Sequence, residues 1–156
     1  AKVPEHVQNY VDVFNAVTGK KITKEDLIQQ SERVYNFQRV FQLRLGKGTR
    51  KFHNIPDRAL GPVFPDEWEA RTEYYDNELK ETGTDPAGLS VEEKLEKLNK
   101  ARRKQWEELV DAVYKRRGWD RNGIPTMKKL RELDMAYPEV VAVVEKNAKP
   151  EDQWKD

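Results

Sequence analysis

The sequence predicts an all-α protein of about five helices, with a long loop after the second. Apolar residues recur at spacings of three and four, which places them on one face of a helix. Glycines and capping residues bound these segments, and no stretch shows the sustained alternation that predicts a strand. Hydrophobic residues make up 37% of the 156 residues, so a core is possible but thin.

The first two helices lie before the long loop. Helix one is predicted from Pro4 to about Thr18, with Gly19 as its stop. Helix two begins at Thr23, which stands three residues before Asp26, the spacing of a capping box. Its expected buried stripe consists of Leu27, Val34, Phe41 and Leu45, widened by Tyr35 and Phe37.

The loop from Lys47 to Pro65 has no helical period and is rich in glycine and proline. A loop this long in a compact domain is usually functional or wraps a neighbour. Helix three is predicted from about Asp66 to Glu81. The polar linker that follows, residues 84–89, is the predicted place for any subdivision of the domain.

Helix four begins with a capping box formed by Ser90 and Glu93 and runs to Arg117. Gly118 is expected to end it in the left-handed conformation. A compact turn follows, and short helices then begin near Thr126 and Pro138. We therefore predict one helical domain over residues 1–148 and a loose tail over residues 149–156.

Composition excludes several classes of protein. The net charge of +1 gives no global attraction for nucleic acid or anionic lipid, and no apolar run approaches the roughly 18 residues that span a bilayer. The absence of cysteine excludes disulfides and thiolate metal ligands within this chain. A cytoplasmic location is compatible with these features. A start without Met, close to a helix, suggests a fragment of a larger protein.

The usual chemical motifs are absent from the sequence. His6 and His53 stand far apart and outside any metal-binding pattern. The segment Gly46–Lys51 lacks the phosphate-binding spacing and follows a helix, so a helix stop with a solvated basic loop is the favoured interpretation. The basic clusters Arg102–Lys104 and Lys115–Arg117 lie on a helix rich in glutamate, which favours an ion-paired face over a nucleic-acid site.

Four polar residues of helix two form the candidate site: Arg33, Asn36, Arg39 and Arg44. They share a helix with a strongly apolar face, and buried polar residues need partners. One alternative is pairing within the chain, with Glu32 as a partner. The other is a role at a domain interface or substrate channel, where an arginine reaches an acidic group or an anionic cofactor.

Several ordered segments resemble one enzyme family. These are Phe14-Asn15-Ala16-Val17-Thr18-Gly19, then Glu32-Arg33 with Asn36 and Arg39, then Leu43-Arg44 and Gly46, then Pro56 and Arg58, and finally Arg117-Gly118-Trp119-Asp120 with Gly123, Pro125-Thr126 and Leu130. Together they resemble the C-terminal region of the tungsten-containing aldehyde:ferredoxin oxidoreductases. The closing segment is similar to that family's R-G-W-D-x-x-G-x-P-T pattern.

This resemblance implies a multihelical C-terminal domain that closes the cofactor and substrate cavity of a larger enzyme. Such enzymes hold a tungsten-bis-pyranopterin cofactor beside a [4Fe–4S] cluster and oxidise aldehydes to carboxylates. The implied partners are the N-terminal domains of the same chain and ferredoxin or an electron-transfer subunit. The family's cluster cysteines and pterin-binding motif lie upstream of the matched segments, so no catalytic, cofactor-binding or metal-ligating residue is carried over to this chain.

Three alternatives remain at this point. The longer polar middle of the chain and the spelling Val113-Tyr114-Lys115-Arg116-Arg117-Gly118-Trp119 also resemble the catalytic subunit of ATP-independent benzoyl-CoA reductases. A free-standing helical module that scaffolds other proteins is the second alternative. A nucleic-acid binder that uses the two basic clusters is the third.

Overall fold

The computed structural model describes residues 4–155, and within them every regular element is helical. Seven α-helices are present: α1 (Pro4–Thr18), α2 (Lys24–Arg44), α3 (Pro65–Glu69), α4 (Thr72–Glu81), α5 (Val91–Arg117), α6 (Met127–Glu132) and α7 (Pro138–Asn147). Short 3-10 helices occupy Arg50–Phe52, Asp57–Ala59 and Pro150–Asp152. The all-α prediction and the long loop after the second helix are confirmed.

The count of about five helices was too low. The predicted third helix is two helices, because Arg71 leaves the helical conformation with φ −143° and ψ 43°.

The cap at the start of α2 has the geometry that the sequence predicts. Thr23 Oγ1 accepts from the Asp26 amide at 3.1 Å, and Asp26 Oδ2 accepts from the Thr23 amide at 2.9 Å. These bonds hold the pKa of Asp26 below its ordinary value, the backbone bond contributing most.

The chain forms two compact units. The first contains residues 4–50 and 117–155 of the described chain, and its core joins α2 with α6, α7 and the turn before α6. The buried members of this core are Val40, Leu43, Ile124, Leu130, Leu133, Met135, Val140 and Val144. The second unit, Lys51–Arg116, packs Trp68, Leu79, Leu95 and Leu98 together. The linker 84–89 lies inside this second unit.

The predicted buried stripe of α2 was wrong. Val34, Phe41 and Leu45 are exposed, whereas Val40 and Leu43 are buried against the α6–α7 side of the first unit. The stripe that faces the core also carries Asn36 and Arg39. Burial of these polar side chains is tolerated because each is hydrogen-bonded within the unit.

The C-terminal segment from Lys149 was expected to be loose, and its described part is anchored instead. Trp154 Nε1 donates to the carbonyl of Trp119 at 2.7 Å, and the Arg121 amide donates to the carbonyl of Asp152 at 2.8 Å. The tail therefore belongs to the first unit as far as residue 155. Residue 156 lies outside the described residues.

Candidate functional site

A tight corner follows α5 in the first unit. Gly118 has φ 67°, as the sequence predicts, and its carbonyl accepts from the Thr126 amide at 3.0 Å. The Asp120 amide donates to the carbonyl of Ile124 at 2.8 Å. Asp120 Oδ1 in turn accepts from the amides of Asn122 and Ile124, both at 2.9 Å. One carboxylate oxygen thus fixes the turn from inside.

The second oxygen of Asp120 is in a different situation. Asp120 is only 1% exposed, and its Oδ2 has no hydrogen-bond partner among the described residues. Burial raises the pKa of this carboxyl, while the bonds from the turn amides oppose the shift. The corner is therefore held by a carboxylate whose charge is costly where it stands.

Trp119 is the centre of the site, 2% exposed, and polar groups surround its ring. Its Nε1 donates to Asn36 Oδ1 at 2.8 Å, and Asn36 Nδ2 donates to the carbonyl of Glu32 at 2.9 Å. The Arg39 guanidinium lies over the indole, 4.1 Å from the ring centroid. It also donates to the carbonyl of Gly48 at 2.8 Å. The corner and α2 are locked together by these contacts.

The four predicted site residues occupy three different environments. Asn36 and Arg39 meet at Trp119 and are buried. Arg33 donates through Nε to the carbonyl of Leu133 at 2.7 Å and pairs with Asp134 at 2.8 Å. The Arg44 side chain is exposed and makes no hydrogen bond or ion pair with any residue between 4 and 155. Their role at an interface or substrate channel stays a prediction.

The exposed side of α1 and α2 is strongly apolar. Tyr10 is 71% exposed and Phe37 is 58% exposed, values far from those of core residues. We call this the α1–α2 surface, and its members are Tyr10, Val13, Val17, Ile28, Val34, Tyr35, Phe37, Phe41 and Leu45. Exposed apolar patches of this kind mark contact surfaces in soluble proteins.

An open groove of about 550 Å³ takes in part of the α1–α2 surface, whereas Val34 and Phe37 line a separate groove with Met135 and Tyr137. The apolar lining of the first groove consists of Val7, Tyr10, Phe14, Leu27, Ile28 and Tyr35. Arg117 also lines this groove, and its guanidinium lies 3.8 Å from the ring centroid of Tyr35. No described residue gives Arg117 a carboxylate partner. The sequence did not single out this stack, because Tyr35 was expected to face the core.

The rejected motifs behave as ordinary structure. His53 Nδ1 is hydrogen-bonded to the Tyr114 hydroxyl in the second unit. Arg102 pairs with Glu78, and Arg103 pairs with Asp57, so the ion-paired interpretation is confirmed for the cluster Arg102–Lys104. For Lys115–Arg117 it stays a prediction. Within residues 4–155 there is no group of three or more His, Cys, Asp or Glu side chains placed to hold a metal ion. No helix of the described chain is long and apolar enough to cross a membrane.

The first unit is all-helical, and its corner combines one buried indole, one buried amide and one buried carboxylate, those of Trp119, Asn36 and Asp120. Comparison with known proteins identifies the family. The family described as "Aldehyde ferredoxin oxidoreductase, domains 2 & 3" matches residues 1–135, and this chain belongs to it. The predicted family is confirmed.

Curated relatives agree with this assignment. The chain is 27% identical over 128 residues to the tungsten-containing aldehyde ferredoxin oxidoreductase of Pyrococcus furiosus and 26% identical over 128 residues to that of Thermococcus kodakarensis. Each match covers 82% of this chain but only 16% of the relative. No solved structure matches significantly. These relatives give no support to the benzoyl-CoA reductase alternative, which we do not retain.

Proposed function

We propose that this chain is the C-terminal helical domain of a tungsten-dependent enzyme that oxidises aldehydes to carboxylates and passes the electrons to ferredoxin. The family match supports the class of enzyme, and the names of the relatives support tungsten. In this proposal the domain closes the cavity that holds the substrate and the tungsten-bis-pyranopterin cofactor.

The chain's own side chains do not fit the ligand set of the cofactors. The sequence has no cysteine for a [4Fe–4S] cluster, and the described residues present no metal-binding cluster. We therefore assign the metal ligands to the remainder of the enzyme. The contribution of this chain is a rigid surface that covers and orients, and no step of the reaction is assigned to its residues.

The observation that carries the proposal is the α1–α2 surface. A helix that turns Val34, Phe37 and Phe41 to solvent while burying Asn36 and Arg39 is placed to be covered by other protein. The match covers only 16% of the length of the relative, so most of such an enzyme lies outside this domain and could cover the surface. The other domains of the same enzyme are thus the proposed occupants of this surface.

Arg117 gives the proposed contact a polar feature. Its guanidinium is held on Tyr35 at one part of an apolar groove, without a carboxylate partner among residues 4–155. The lining also contains Glu32, whose carboxylate lies 3.8 Å from Lys129 Nζ. An apolar segment that places one Asp or Glu side chain at Arg117 complements this lining. We expect such a segment in the domains that cover the groove.

The double substitution Phe37→Glu with Phe41→Glu tests the proposal in the full-length enzyme. Both side chains are exposed here, so the stability of this domain alone should change by no more than about 0.5 kcal/mol per site. Burying two carboxylates without partners at a domain contact costs free energy, so the domains should pack less well in the variant. Tungsten content and aldehyde-dependent ferredoxin reduction should therefore fall by about tenfold or more.

The matched control is Leu109→Glu, an equally exposed apolar position on α5 in the second unit. The control should retain tungsten and activity. Full tungsten content and activity in the double variant would reject the surface as an interdomain contact. A wild-type enzyme that binds tungsten but shows no aldehyde-dependent ferredoxin reduction would reject the proposed reaction instead.

A further inference from the structure

The second unit contains a polar pocket that neither the family nor the proposed function explains. Its volume is about 440 Å³, and it opens to solvent. The loop after the Asp57–Ala59 turn forms one side, and the end of α3 forms another. Three arginines line it, Arg58, Arg71 and Arg102, together with Tyr75 of α4. Such a concentration of guanidinium groups around one cavity is a feature of anion-binding sites.

Two of the three arginines are neutralised by glutamates. Arg58 pairs with Glu67, and Arg102 pairs with Glu78. Glu67 itself lines the pocket, and its Oε2 also accepts from the amides of Val63 and Phe64 at 2.8 and 3.3 Å. The carboxylates near the pocket are thus committed to partners of their own.

Arg71 is the exception. Its side chain is exposed and makes no hydrogen bond, ion pair or ring contact with any described residue. Arg71 lies at the break between α3 and α4. Its backbone amide donates a hydrogen bond to the carbonyl of Trp68 at 2.9 Å, which fixes the backbone there. Of the three arginines that line the pocket, Arg71 alone has no carboxylate partner among the described residues.

Gly61 allows Arg102 to approach the loop closely. Its φ is 146°, and a Cβ at this position would lie 2.6 Å from Nη1 of Arg102. The same Nη1 donates to the carbonyl of Leu60 at 2.7 Å. Arg102 lines the pocket and keeps several N–H groups beyond those bonded to Leu60 and Glu78, since a guanidinium has five.

We propose that this pocket binds a carboxylate group, with Arg71 as its principal partner and the remaining N–H groups of Arg58 and Arg102 as further hydrogen-bond donors. One arginine without a carboxylate partner suits a monoanion, so a carboxylate fits better than a doubly charged phosphate. The planar fork of Arg71 suits two-point binding of a carboxylate. The carboxylate belongs either to a small organic acid or to an acidic side chain from another part of the enzyme.

The test is a titration of the 15N-labelled chain with sodium acetate and sodium benzoate, followed by amide chemical shifts. Sodium chloride and sodium phosphate at matched ionic strength are the comparison salts. Saturable shifts confined to residues 58–75 and the region of Arg102 are expected for the carboxylates. The variant Arg71→Ala should weaken this binding by about tenfold, and Arg71→Lys should recover only part of it.

Arg116→Ala is the matched control, because Arg116 is also exposed and has no partner among residues 4–155. It should bind acetate like the wild type. Equal affinity in wild type and Arg71→Ala, or the same shifts with chloride, would overturn the proposal. Repeating the titration on the full-length enzyme identifies the source: lost acetate binding indicates an acidic side chain in the pocket, and retained binding indicates a free acid.

Discussion

Each unit of the molecule is centred on a buried tryptophan whose indole N–H is bonded to a side-chain oxygen, but the two partners differ in charge. In the first unit Trp119 donates to the neutral amide of Asn36 at 2.8 Å. In the second, Trp68 donates to the carboxylate of Asp76 at 3.0 Å, and Lys94 pairs with the same carboxylate at 3.0 and 3.1 Å. The acceptor of the indole N–H is therefore a neutral amide in the first unit and an ion-paired carboxylate in the second.

This difference extends to the surfaces. Most of the large exposed apolar residues, including those of α1 and α2, belong to the first unit. The second unit instead presents ion pairs such as Arg102–Glu78 and Arg103–Asp57. This comparison supports the proposal that other protein covers the first unit more than the second.

The largest expected effect is the loss of the Trp119 side chain. Trp119→Ala leaves a large cavity, removes the stack under Arg39 and strands Asn36 Oδ1, so the first unit should lose about 3–5 kcal/mol. Urea unfolding followed by circular dichroism measures it. Trp119→Phe keeps a ring and should cost less. A similar loss for both variants would show that the hydrogen bond, rather than the ring, carries the stability.

A smaller effect is expected at the ionic centre of the second unit. Asp76→Ala leaves the N–H of Trp68, which is fully buried, and the ammonium of Lys94 without their acceptor, at a cost of about 1–3 kcal/mol. Asp76→Asn retains an acceptor and should recover part of this loss. Equal unfolding free energies for Asp76→Ala and the wild type would contradict the central place given to this pair.

Asp120 offers a pH-dependent test of the first unit. Because burial raises its pKa above the ordinary value, the folded state holds the proton more tightly than the unfolded state. Its contribution is therefore stabilising below the unfolded pKa and is lost as the pH rises through the folded pKa. Asp26, Glu67 and Glu132 have lowered pKa values and act in the opposite direction.

Asp120→Asn isolates this contribution. The stability of the wild type relative to the variant should decrease as the pH rises from below 3.8 to neutrality, as measured by urea unfolding at several pH values. Oδ1 of the asparagine can still accept from the turn amides. A pH-independent difference between the two proteins would show that Asp120 does not titrate abnormally in the fold.

Local signals in the sequence were sufficient for much of this fold. The capping pairs Thr23–Asp26 and Ser90–Glu93 and the left-handed Gly118 depend on residues a few positions apart, so the sequence could predict them. The family resemblance likewise rested on short ordered segments.

The orientation of α2 could not be predicted in the same way. Both sides of α2 carry apolar residues. Packing against α6 and α7, which are distant in sequence, determines which side faces the core. The partners of Asn36 and Arg39 at Trp119 follow from that choice. The anchor at Trp154 was missed because a polar tail with a single aromatic gives no periodic signal.

Side-chain accessibility in the full-length enzyme tests the central claim most directly. Hydroxyl-radical footprinting should oxidise Phe37 and Phe41 readily in this chain alone, since both are exposed. In the full-length enzyme their oxidation should slow by about tenfold, while Tyr74 of the second unit, which is also exposed, should react at the same rate in both. Unchanged oxidation of Phe37 and Phe41 in the full-length enzyme would contradict the account, because the α1–α2 surface would then remain in water.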